Sequence, residues 1–488
     1  MQAFCFDQRN RTQGGVTTRF GQLSQELARI NPWWRGGSWE GRDPDLRRVA
    51  ASGLNYESSA LGGLTPGNLY VLRGPRRVGK TVTVKQKISR LVADGANPRS
   101  IIRVAADGWD ENDIRKLPRT PGLPRLPEET RRWWFIDEIT SVKGNWISQV
   151  KWLRDNDPDF ASDTVVLTGS DAPSLTKVAG ELPGRRGRNV SVARTLLPIG
   201  FRTFVRLTET DRPSAPQLPL AGLRTPAAKE AFDDLLPWLD VLVRSWETYL
   251  EYGGFPVAVE AAKRGDPVPI DFANYLFDVI FRDAFAASSL SETRTGALYA
   301  RVIEGMGSPI NFRSIGSDLD LATATVIRHV DYLRDSFLLW LCPQRQNRAW
   351  LALNGGQDKV YAADPILARL MHVRNPQHQD VDPTVLTEMQ LGLAIRRRQV
   401  ADGSSWTAED RLFYWRTPAR KEIDFISDDL GGVAIEGKYT EGRWRRESAT
   451  VNASEWLGIL ATRNVLDTAS SDKAWAVPAA LLAYLIDT

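Results

Sequence analysis

Cysteine and histidine are scarce in this chain, which has two Cys and three His among 488 residues. Cys5 and Cys342 alone cannot build a disulfide framework, so we expect a reducing, cytoplasmic location. The same scarcity disfavours a metal site made of His and Cys ligands. No apolar stretch reaches the roughly 20 residues of a membrane-spanning helix, and Met1–Asp7 lack the pattern of a signal peptide. We therefore expect no membrane partner.

The chain also lacks a strong excess of positive or negative charge, because 63 Lys and Arg against 59 Asp and Glu give a net charge of only +4. Such an excess permits contact with nucleic acid without indicating it, since recognition of DNA or RNA needs a localised basic surface. With 42% hydrophobic and 25% charged residues, the composition is typical of a soluble globular protein. The length predicts about two to four domains.

The strongest motif in the chain is a glycine loop of the pattern GxxxxGK[ST], preceded by the apolar strand Leu69–Leu72 and followed by a helical pattern ending near Ala93. A P-loop requires this order, because its glycines let the backbone wrap around phosphate and the helix N-terminus attracts the negative charge. Lys80 is expected to reach the β and γ phosphates, and Thr81 to bind Mg²⁺. The residues predicted to bind ATP here are Gly74, Pro75, Arg76, Arg77, Val78, Gly79, Lys80 and Thr81.

A second nucleotide element follows in the apolar run Trp133–Ile136, which predicts a buried strand and ends in Asp137 and Glu138. The carboxyl end of a parallel strand faces the ligand crevice. Asp137 is therefore expected to hold Mg²⁺ through water. Glu138 is suited to be the general base that activates the attacking water.

A third apolar strand, Thr164–Thr168, ends in hydroxyl side chains. Thr168 or Ser170 would sense the γ phosphate there, although the segment is equally typical of a strand followed by an ordinary turn. Beyond it lie three glycine-flanked arginines, of which Arg185 is the candidate arginine finger. The alternative is a solvated basic loop. A finger that reaches a neighbouring subunit would make the protein a homo-oligomer.

Two regions that flank these motifs have weaker patterns. Residues 1–50 are polar, with an aromatic pair, Trp33 and Trp34, that we expect to pack on the ATPase core. Residues 298–345 predict two helices and a strand, which is the pattern of a winged helix. Arg328 and Arg334 could face DNA phosphates there, but a purely structural module is the favoured interpretation.

The last part of the chain predicts three strands and a second chemical site. Glu436 and Lys438 share one face of a strand, and Asp424 on the preceding strand can lie beside them. Two carboxylates and a lysine at this spacing form a divalent-metal nuclease site, in which Asp424 and Glu436 hold the metal and Lys438 orients or activates water. Glu388, on a helix predicted over Thr384–Arg397, could add a third carboxylate. The alternative is a solvated strand face with an incidental ion pair.

Taken together, these motifs resemble a prokaryotic AAA-type ATPase family with a C-terminal domain of unknown function, itself similar to PD-(D/E)xK restriction-endonuclease-like folds. Gly437 departs from the family, in which many members carry Val. A glycine there is expected to loosen the strand. The motifs that carry the resemblance are Gly74–Thr81, Phe135–Glu138, Leu167–Ser170, Leu182–Arg185, Gly253–Pro256, Tyr332–Leu338, Tyr414–Arg416, Glu422–Phe425 and Ile435–Tyr439.

The resemblance implies an α/β fold with a P-loop NTPase parallel sheet core of the ASCE type, followed by a helical and winged-helix region and a restriction-endonuclease-like α/β domain. The predicted segments are an N-terminal extension (1–50), the ATPase core (51–207), a helical region (208–297), the winged helix (298–345) and the nuclease-like domain (346–488).

Three functions fit the sequence. The leading hypothesis is an Mg²⁺-dependent ATPase whose nucleotide cycle controls the nuclease-like domain, on or near DNA. The alternatives are an ATP-dependent DNA nuclease in mobile-element or phage defence, and a nucleotide-gated assembly switch without nuclease activity.

Overall fold

A computed structural model describes residues 24–127, 130–169, 193–278, 290–346, 349–403, 406, 411–417, 421–442 and 444–488. Its contacts divide the chain into two compact units. The first comprises Met1–Arg48, Glu57–Arg73 and Lys80–Arg194, and the second comprises Val49–Tyr56, Gly74–Gly79 and Thr195–Thr488. Among the described residues, no helix is both long and apolar enough to cross a membrane.

The first unit is built on a five-stranded sheet in the order β2-β3-β4-β1-β5. Strand β1 pairs with β4, β4 with β3 and β3 with β2, all in parallel. Because β4 lies between β1 and β3, the end of β4 separates the loop after β1 from the residues that follow β3. The strands are β1 (Leu69–Arg73), β2 (Ile101–Ala105), β3 (Trp133–Asp137), β4 (Thr164–Thr168) and β5 (Ala193–Thr195).

Helices cover this sheet and close its core. Strands β1 and β4 are buried at every position, as expected for the centre of a parallel sheet, and the core includes Ile102, Trp134 and Val150. The helices are α1 (Pro44–Ser52), α2 (Lys80–Ala93), α3 (Glu111–Lys116), α4 (Trp146–Asn156) and α5 (Pro158–Ser162). Helix α2 ends where the sequence predicts, since Gly95 adopts a left-handed conformation with φ +91°.

The N-terminal segment covers the exposed edge of the sheet at β2. The Asn31 side chain accepts from the Arg103 amide at 2.6 Å and donates to the Arg103 carbonyl at 2.9 Å, as a neighbouring strand would. The indole N–H groups of Trp33 and Trp34 both donate to the Ile101 carbonyl at 2.8 Å. The aromatic pair therefore packs on the ATPase core and protects an edge strand from pairing with other chains.

The second unit begins with helices around a buried ion pair. Arg397 lies 3.3 Å from Asp487 and donates to the Tyr249 hydroxyl at 2.7 Å, and Asp487 in turn accepts from the Phe201 amide. The helices up to Arg374 are α6 (Phe201–Thr208), α7 (Pro226–Asp234), α8 (Leu239–Tyr252), α9 (Pro256–Arg264), α10 (Glu292–Glu304), α11 (Phe312–Asp318), α12 (Thr323–Asp335), α13 (Pro365–Ala368) and α14 (Leu370–Arg374).

Helices α11 and α12 pack together and precede the antiparallel pair β6 (Leu339–Cys342) and β7 (Lys359–Ala362). The strand predicted in this region begins at Leu339, after the left-handed Phe337 (φ +62°) that follows the end of α12. Arg334 is paired with Asp331 and Asp335 at 3.2 and 3.0 Å, so its charge is already neutralised. The winged-helix assignment and its contact with DNA stay predictions.

The C-terminal sheet is mixed, in the order β12-β11-β10-β9-β8. Strands β8, β9 and β10 are antiparallel neighbours, whereas β10, β11 and β12 run in parallel. The strands are β8 (Phe413–Arg416), β9 (Glu422–Ile426), β10 (Val433–Gly437), β11 (Leu457–Thr462) and β12 (Ala474–Pro478), and the helices are α15 (Pro383–Ala401), α16 (Trp444–Glu447), α17 (Ala449–Asn452) and α18 (Ala479–Ile486).

Two glycines let helix α15 lie close to this sheet. A Cβ on Gly437 would come within 2.9 Å of the Glu388 Cα, and one on Gly392 within 2.6 Å of the Phe425 ring on β9. Packing therefore explains the glycine at position 437, because the absence of a side chain lets the backbone of Glu388 lie against β10.

The observed sheets confirm an α/β fold with a parallel P-loop-type core. The restriction-endonuclease-like assignment of the C-terminal sheet and the predicted domain boundaries stay predictions.

Candidate functional site

The glycine loop joins β1 to α2 through backbone conformations that few residues adopt. Gly74 (φ +153°) approaches the Leu196 carbonyl so closely that a Cβ would lie 2.0 Å from its oxygen, and Gly79 has φ +101°. Arg77, with φ +65°, is left-handed without being glycine. Such strain is concentrated at functional sites, which agrees with the predicted role of this loop.

Lys80 is the first residue of α2 and is 8% exposed. The first backbone N–H groups of this helix lack helical partners. This is a ready-made environment for phosphate. Thr81 follows it in the first turn and is half-buried, so the two side chains predicted to contact phosphate and Mg²⁺ lie where α2 begins.

Asp137 is held at the end of β3 by two side chains. Arg103 Nη2 lies 2.7 Å from Asp137 Oδ2, and the Thr168 hydroxyl donates to Asp137 Oδ1. Asp137 is only 4% exposed, so these donors fix its carboxylate in one orientation. Thr168 thereby connects the end of β4 to the end of β3, as the strand order requires.

The donor set fits a hydrated Mg²⁺ ion. A hydroxyl and a carboxylate are the oxygen ligands that Mg²⁺ uses beside phosphate and water. Each oxygen of Asp137 has one protein donor in the contacts above, which leaves a lone pair for a metal-bound water. Thr81 and Asp137 would therefore hold the ion together with nucleotide phosphates.

Glu138 is left-handed, with φ 55° and ψ 39°. Its backbone N–H lies 3.4 Å from the Thr168 hydroxyl oxygen. A left-handed non-glycine residue costs about 1–2 kcal/mol, and its occurrence directly after Asp137 favours a functional reason over a packing one.

Sequence reasoning missed Arg103. A single arginine in an otherwise apolar buried strand was the available signal, because such a charge needs a partner. Two predicted residues of this site, the sensor candidate Ser170 and the candidate finger Arg185, lie outside the described residues, and the homo-oligomer inferred through Arg185 stays a prediction.

The C-terminal constellation comes together on one face of the second sheet. Strands β9 and β10 pair with Ile435 opposite Phe425, and continuing this register by one residue places Glu436 opposite Asp424. The Gly437 amide donates to Asp424 Oδ2 at 3.0 Å, and Lys438 Nζ lies 3.2 Å from Glu436 Oε2. The three residues predicted from spacing are therefore neighbours.

A lysine that the sequence analysis did not identify lies beside this face. Lys359, on β7, is 1% exposed, and its Nζ lies 3.1 Å from Glu388 Oε1 and Asp424 Oδ1 and 3.2 Å from Glu422 Oε2. The Tyr361 hydroxyl also donates to Glu388 Oε1, at 2.5 Å. Glu388 thus joins the cluster through Lys359 and Tyr361, and its role as a metal ligand stays a prediction.

Glu436 differs from the other carboxylates in having few partners. It is 1% exposed, neither oxygen receives a hydrogen bond from the described residues, and Lys438 approaches one oxygen outside hydrogen-bonding geometry. Burial raises the pKa of Glu436 to about 7. Burial and the charge of Asp424 likewise raise the pKa of Glu388 to about 7.

The pKa of Asp424 shifts in the opposite direction, downward. Burial alone would raise its pKa, but the charges of Lys359 and Lys438 outweigh burial and lower it. In the described part of the chain, no group of three or more His, Cys, Asp or Glu side chains is arranged to hold a metal. Glu436, whose described polar contact is the ion pair with Lys438, lies opposite an ionised Asp424, and the two carboxylates fit one shared ion.

The chain was compared with known proteins. Residues 66–205 match an AAA domain. Residues 243–378 match a domain of unknown function, DUF8612. No curated protein matches the chain. Together with the parallel sheet and the glycine loop, the first match supports an ATPase of the P-loop AAA type in the first part of the chain.

Several solved structures are distantly similar. The Walker-type ATPase PABY2304 of Pyrococcus abyssi is 13% identical over 67% of this chain and 94% of its own, with a TM-score of 0.34. The ORC2 protein of Aeropyrum pernix is 13% identical over 73% and 92%, with a TM-score of 0.33. Cdc6p of Pyrobaculum aerophilum is 12% identical over 78% and 95%, with a TM-score of 0.23. Similarity at this level defines no function for this chain.

Proposed function

We propose that the protein is an Mg²⁺-dependent ATPase of the AAA type whose nucleotide cycle controls its C-terminal site. The observation that carries ATP hydrolysis is the fixed Asp137 carboxylate followed directly by the left-handed Glu138. Lys80 and the loop bind phosphate, Thr81 and Asp137 hold the hydrated ion, and Glu138 accepts a proton from the attacking water. A bound Mg²⁺ supplies charge stabilisation for the phosphoryl group.

Replacement of Glu138 by Gln tests the base directly. Gln keeps the size and hydrogen-bonding reach of Glu but cannot accept the proton, so we expect unchanged ATP affinity and a turnover lowered by about 100-fold or more. Binding is measured with a fluorescent ATP analogue and turnover by phosphate release. Loss of affinity without a separate loss of turnover would assign Glu138 a structural role.

Nucleotide binding has a physical route from the loop to residues 270–278. Residues Gly74–Gly79 group with the second unit, and the Arg77 guanidinium lies 3.8 Å from the centre of the Tyr275 ring. Such a cation–π contact is worth about 0.5–2 kcal/mol. A phosphate that draws on the charge of Arg77 would weaken this contact and so transmit nucleotide binding to helical residues 270–278.

Removal of the Tyr275 ring should separate ATP binding from its consequence in the second unit. We expect Tyr275→Ala to bind ATP normally but to lose ATP-dependent changes in hydrogen exchange within residues 270–278. Tyr275→Phe is the matched control, because it keeps the aromatic face and should respond like the parent. Equal responses from the Ala and Phe variants would exclude this route.

A second activity, hydrolysis of phosphodiesters, is favoured by the buried Glu436 carboxylate beside Asp424 and Lys438. Asp424 and Glu436 would hold one divalent ion, which would activate water and polarise the phosphate when bound. The Lys438 side chain is 32% exposed, so its ammonium can also donate to a phosphate oxygen. DNA is the proposed substrate, consistent with the alternative of an ATP-dependent nuclease in mobile-element or phage defence.

The nuclease proposal predicts Mg²⁺-dependent cleavage of plasmid DNA by the parent protein. Glu436→Gln removes the charge without changing the side-chain size, and we expect cleavage to fall by at least about 100-fold. ATP hydrolysis, measured on the same preparation, should be retained. Without cleavage by the parent in any combination of DNA, Mg²⁺ and ATP, the nucleotide-gated switch becomes the preferred function.

A further inference from the structure

Lys359 has an environment that a buried lysine rarely finds. Its ammonium has three N–H donors, and three carboxylates lie at 3.1, 3.1 and 3.2 Å, on Glu388, Asp424 and Glu422. The side chain is 1% exposed, so water contributes little to its solvation. One fixed positive charge on β7 therefore pairs with carboxylates from two other segments of the chain, α15 and β9.

The same contacts occupy the oxygens of Glu388 and Asp424 that face Lys359. Glu388 Oε1 accepts from Lys359 and from the Tyr361 hydroxyl. Asp424 Oδ1 accepts from Lys359, and Asp424 Oδ2 from the Gly437 amide. A divalent ion bound between Glu388, Glu422 and Asp424 would have to displace the ammonium, because both need the same oxygens.

Glu436 is outside this arrangement. Its oxygens receive no hydrogen bond from the described residues, and it lies opposite Asp424 on the neighbouring strand. The cluster thus has two places for positive charge: one filled by the buried Lys359, and one at Glu436, where the partly exposed Lys438 forms an ion pair at 3.2 Å that a divalent ion could replace.

We propose that Lys359 is a built-in cation of the C-terminal site, which takes the place of a second divalent ion and restricts the site to one ion held by Glu436 and Asp424. This inference deepens the proposed metal-dependent function and rests on it. Lys359 is a positioning residue in this proposal. It holds Glu388 and Asp424 in place and does not touch the substrate.

The first test counts ions on the parent protein without nucleotide, with Mn²⁺ as the probe and equilibrium dialysis or electron paramagnetic resonance as the measurement. We expect one ion at the C-terminal site, absent in Glu436→Gln. Two ions that are both lost on removal of the C-terminal carboxylates would overturn the role of Lys359. Absence of any ion would instead overturn the proposed metal-dependent function. The number of bound ions, two or none, therefore distinguishes failure of the Lys359 proposal from failure of the metal-dependent function.

The second test removes the built-in cation. Lys359→Met leaves three carboxylates facing each other, so we expect a protein with a lowered melting temperature in chelator. Mn²⁺ at a saturating concentration should then raise that temperature by about 5 °C or more, because ligand binding stabilises the folded state. The variant should also bind one ion more than the parent.

Two controls make the second test specific. Lys229→Met removes a lysine from an exposed ion pair with Asp233 in the same unit and should show no response to Mn²⁺ beyond that of the parent. Lys359→Met combined with Glu388→Gln has one carboxylate fewer and should show a weaker rescue. If Mn²⁺ does not stabilise Lys359→Met more than the parent, the proposal is wrong, and if that variant does not fold, the ion count on the parent still decides.

Discussion

Replacement of Lys80 by alanine is expected to lower ATP hydrolysis by about 10²–10³-fold, which is the effect of removing one preorganised group that stabilises developing charge. Lys80 begins α2 and is almost buried, so its ammonium is held in one place by its surroundings. Phosphate release under saturating ATP measures the loss. ATP affinity should fall as well, because the ammonium contacts phosphates before and during the reaction.

The matched control is Lys87→Ala, the same substitution two turns further along the same helix. Lys87 is half-buried and lies outside the loop, so we expect ATP turnover within about twofold of the parent, as for a surface change away from the site. Comparable melting temperatures for both variants would show that the helix is intact. Parent-like hydrolysis by Lys80→Ala would mean that the phosphate site lies elsewhere.

Replacement of Arg397 by methionine is expected to have the largest effect on stability, a loss of about 3–5 kcal/mol in the free energy of unfolding. Arg397 and Asp487 are 3% and 1% exposed, and Met would leave the Asp487 carboxylate buried without its cation. The Tyr249 hydroxyl would also lose its 2.7 Å contact with the guanidinium. Urea denaturation followed by hydrogen exchange in α8, α15 and α18 measures this loss in the second unit.

An exposed pair in the same unit provides the comparison. Arg463 contacts Glu247 at 2.8 Å and also pairs with Glu441, but its side chain is 43% exposed. Arg463→Met should therefore cost less than about 1 kcal/mol, since water screens surface ion pairs. Similar losses for the two variants would show that burial does not determine the contribution of Arg397.

The sequence alone determined the elements that depend on residues close together in the chain. A glycine loop between an apolar strand and a helix is specified within some thirteen residues, and Gly79 and Lys80 lie where that pattern requires. The apolar run that ends in Asp137 and Glu138 likewise predicted strand β3 and its carboxyl end, because this signal also lies within a few residues. Both signals are local, because buried strands and helix starts impose their residue preferences directly.

The sequence also predicted that Asp424, Glu436 and Lys438 lie close together. Strand residues alternate between two faces, so a short connection between two antiparallel strands leaves few possible registers. The sequence singled out Gly437, and the expected loosening of the strand stays a prediction. The sequence did not indicate the packing role of Gly437, which depends on Glu388, whose Cα would lie 2.9 Å from a Cβ at that position.

Only the tertiary structure decided which charges meet. Arg103 is 34 residues from Asp137, and Lys359 is 65 residues from Asp424. Periodicity indicates which face of a strand is buried, but not which other strand or helix covers that face. The partners of Arg103 and Lys359 follow from the order of the strands and from the close approach of α15, and these are set by packing over the whole unit, which no local pattern encodes.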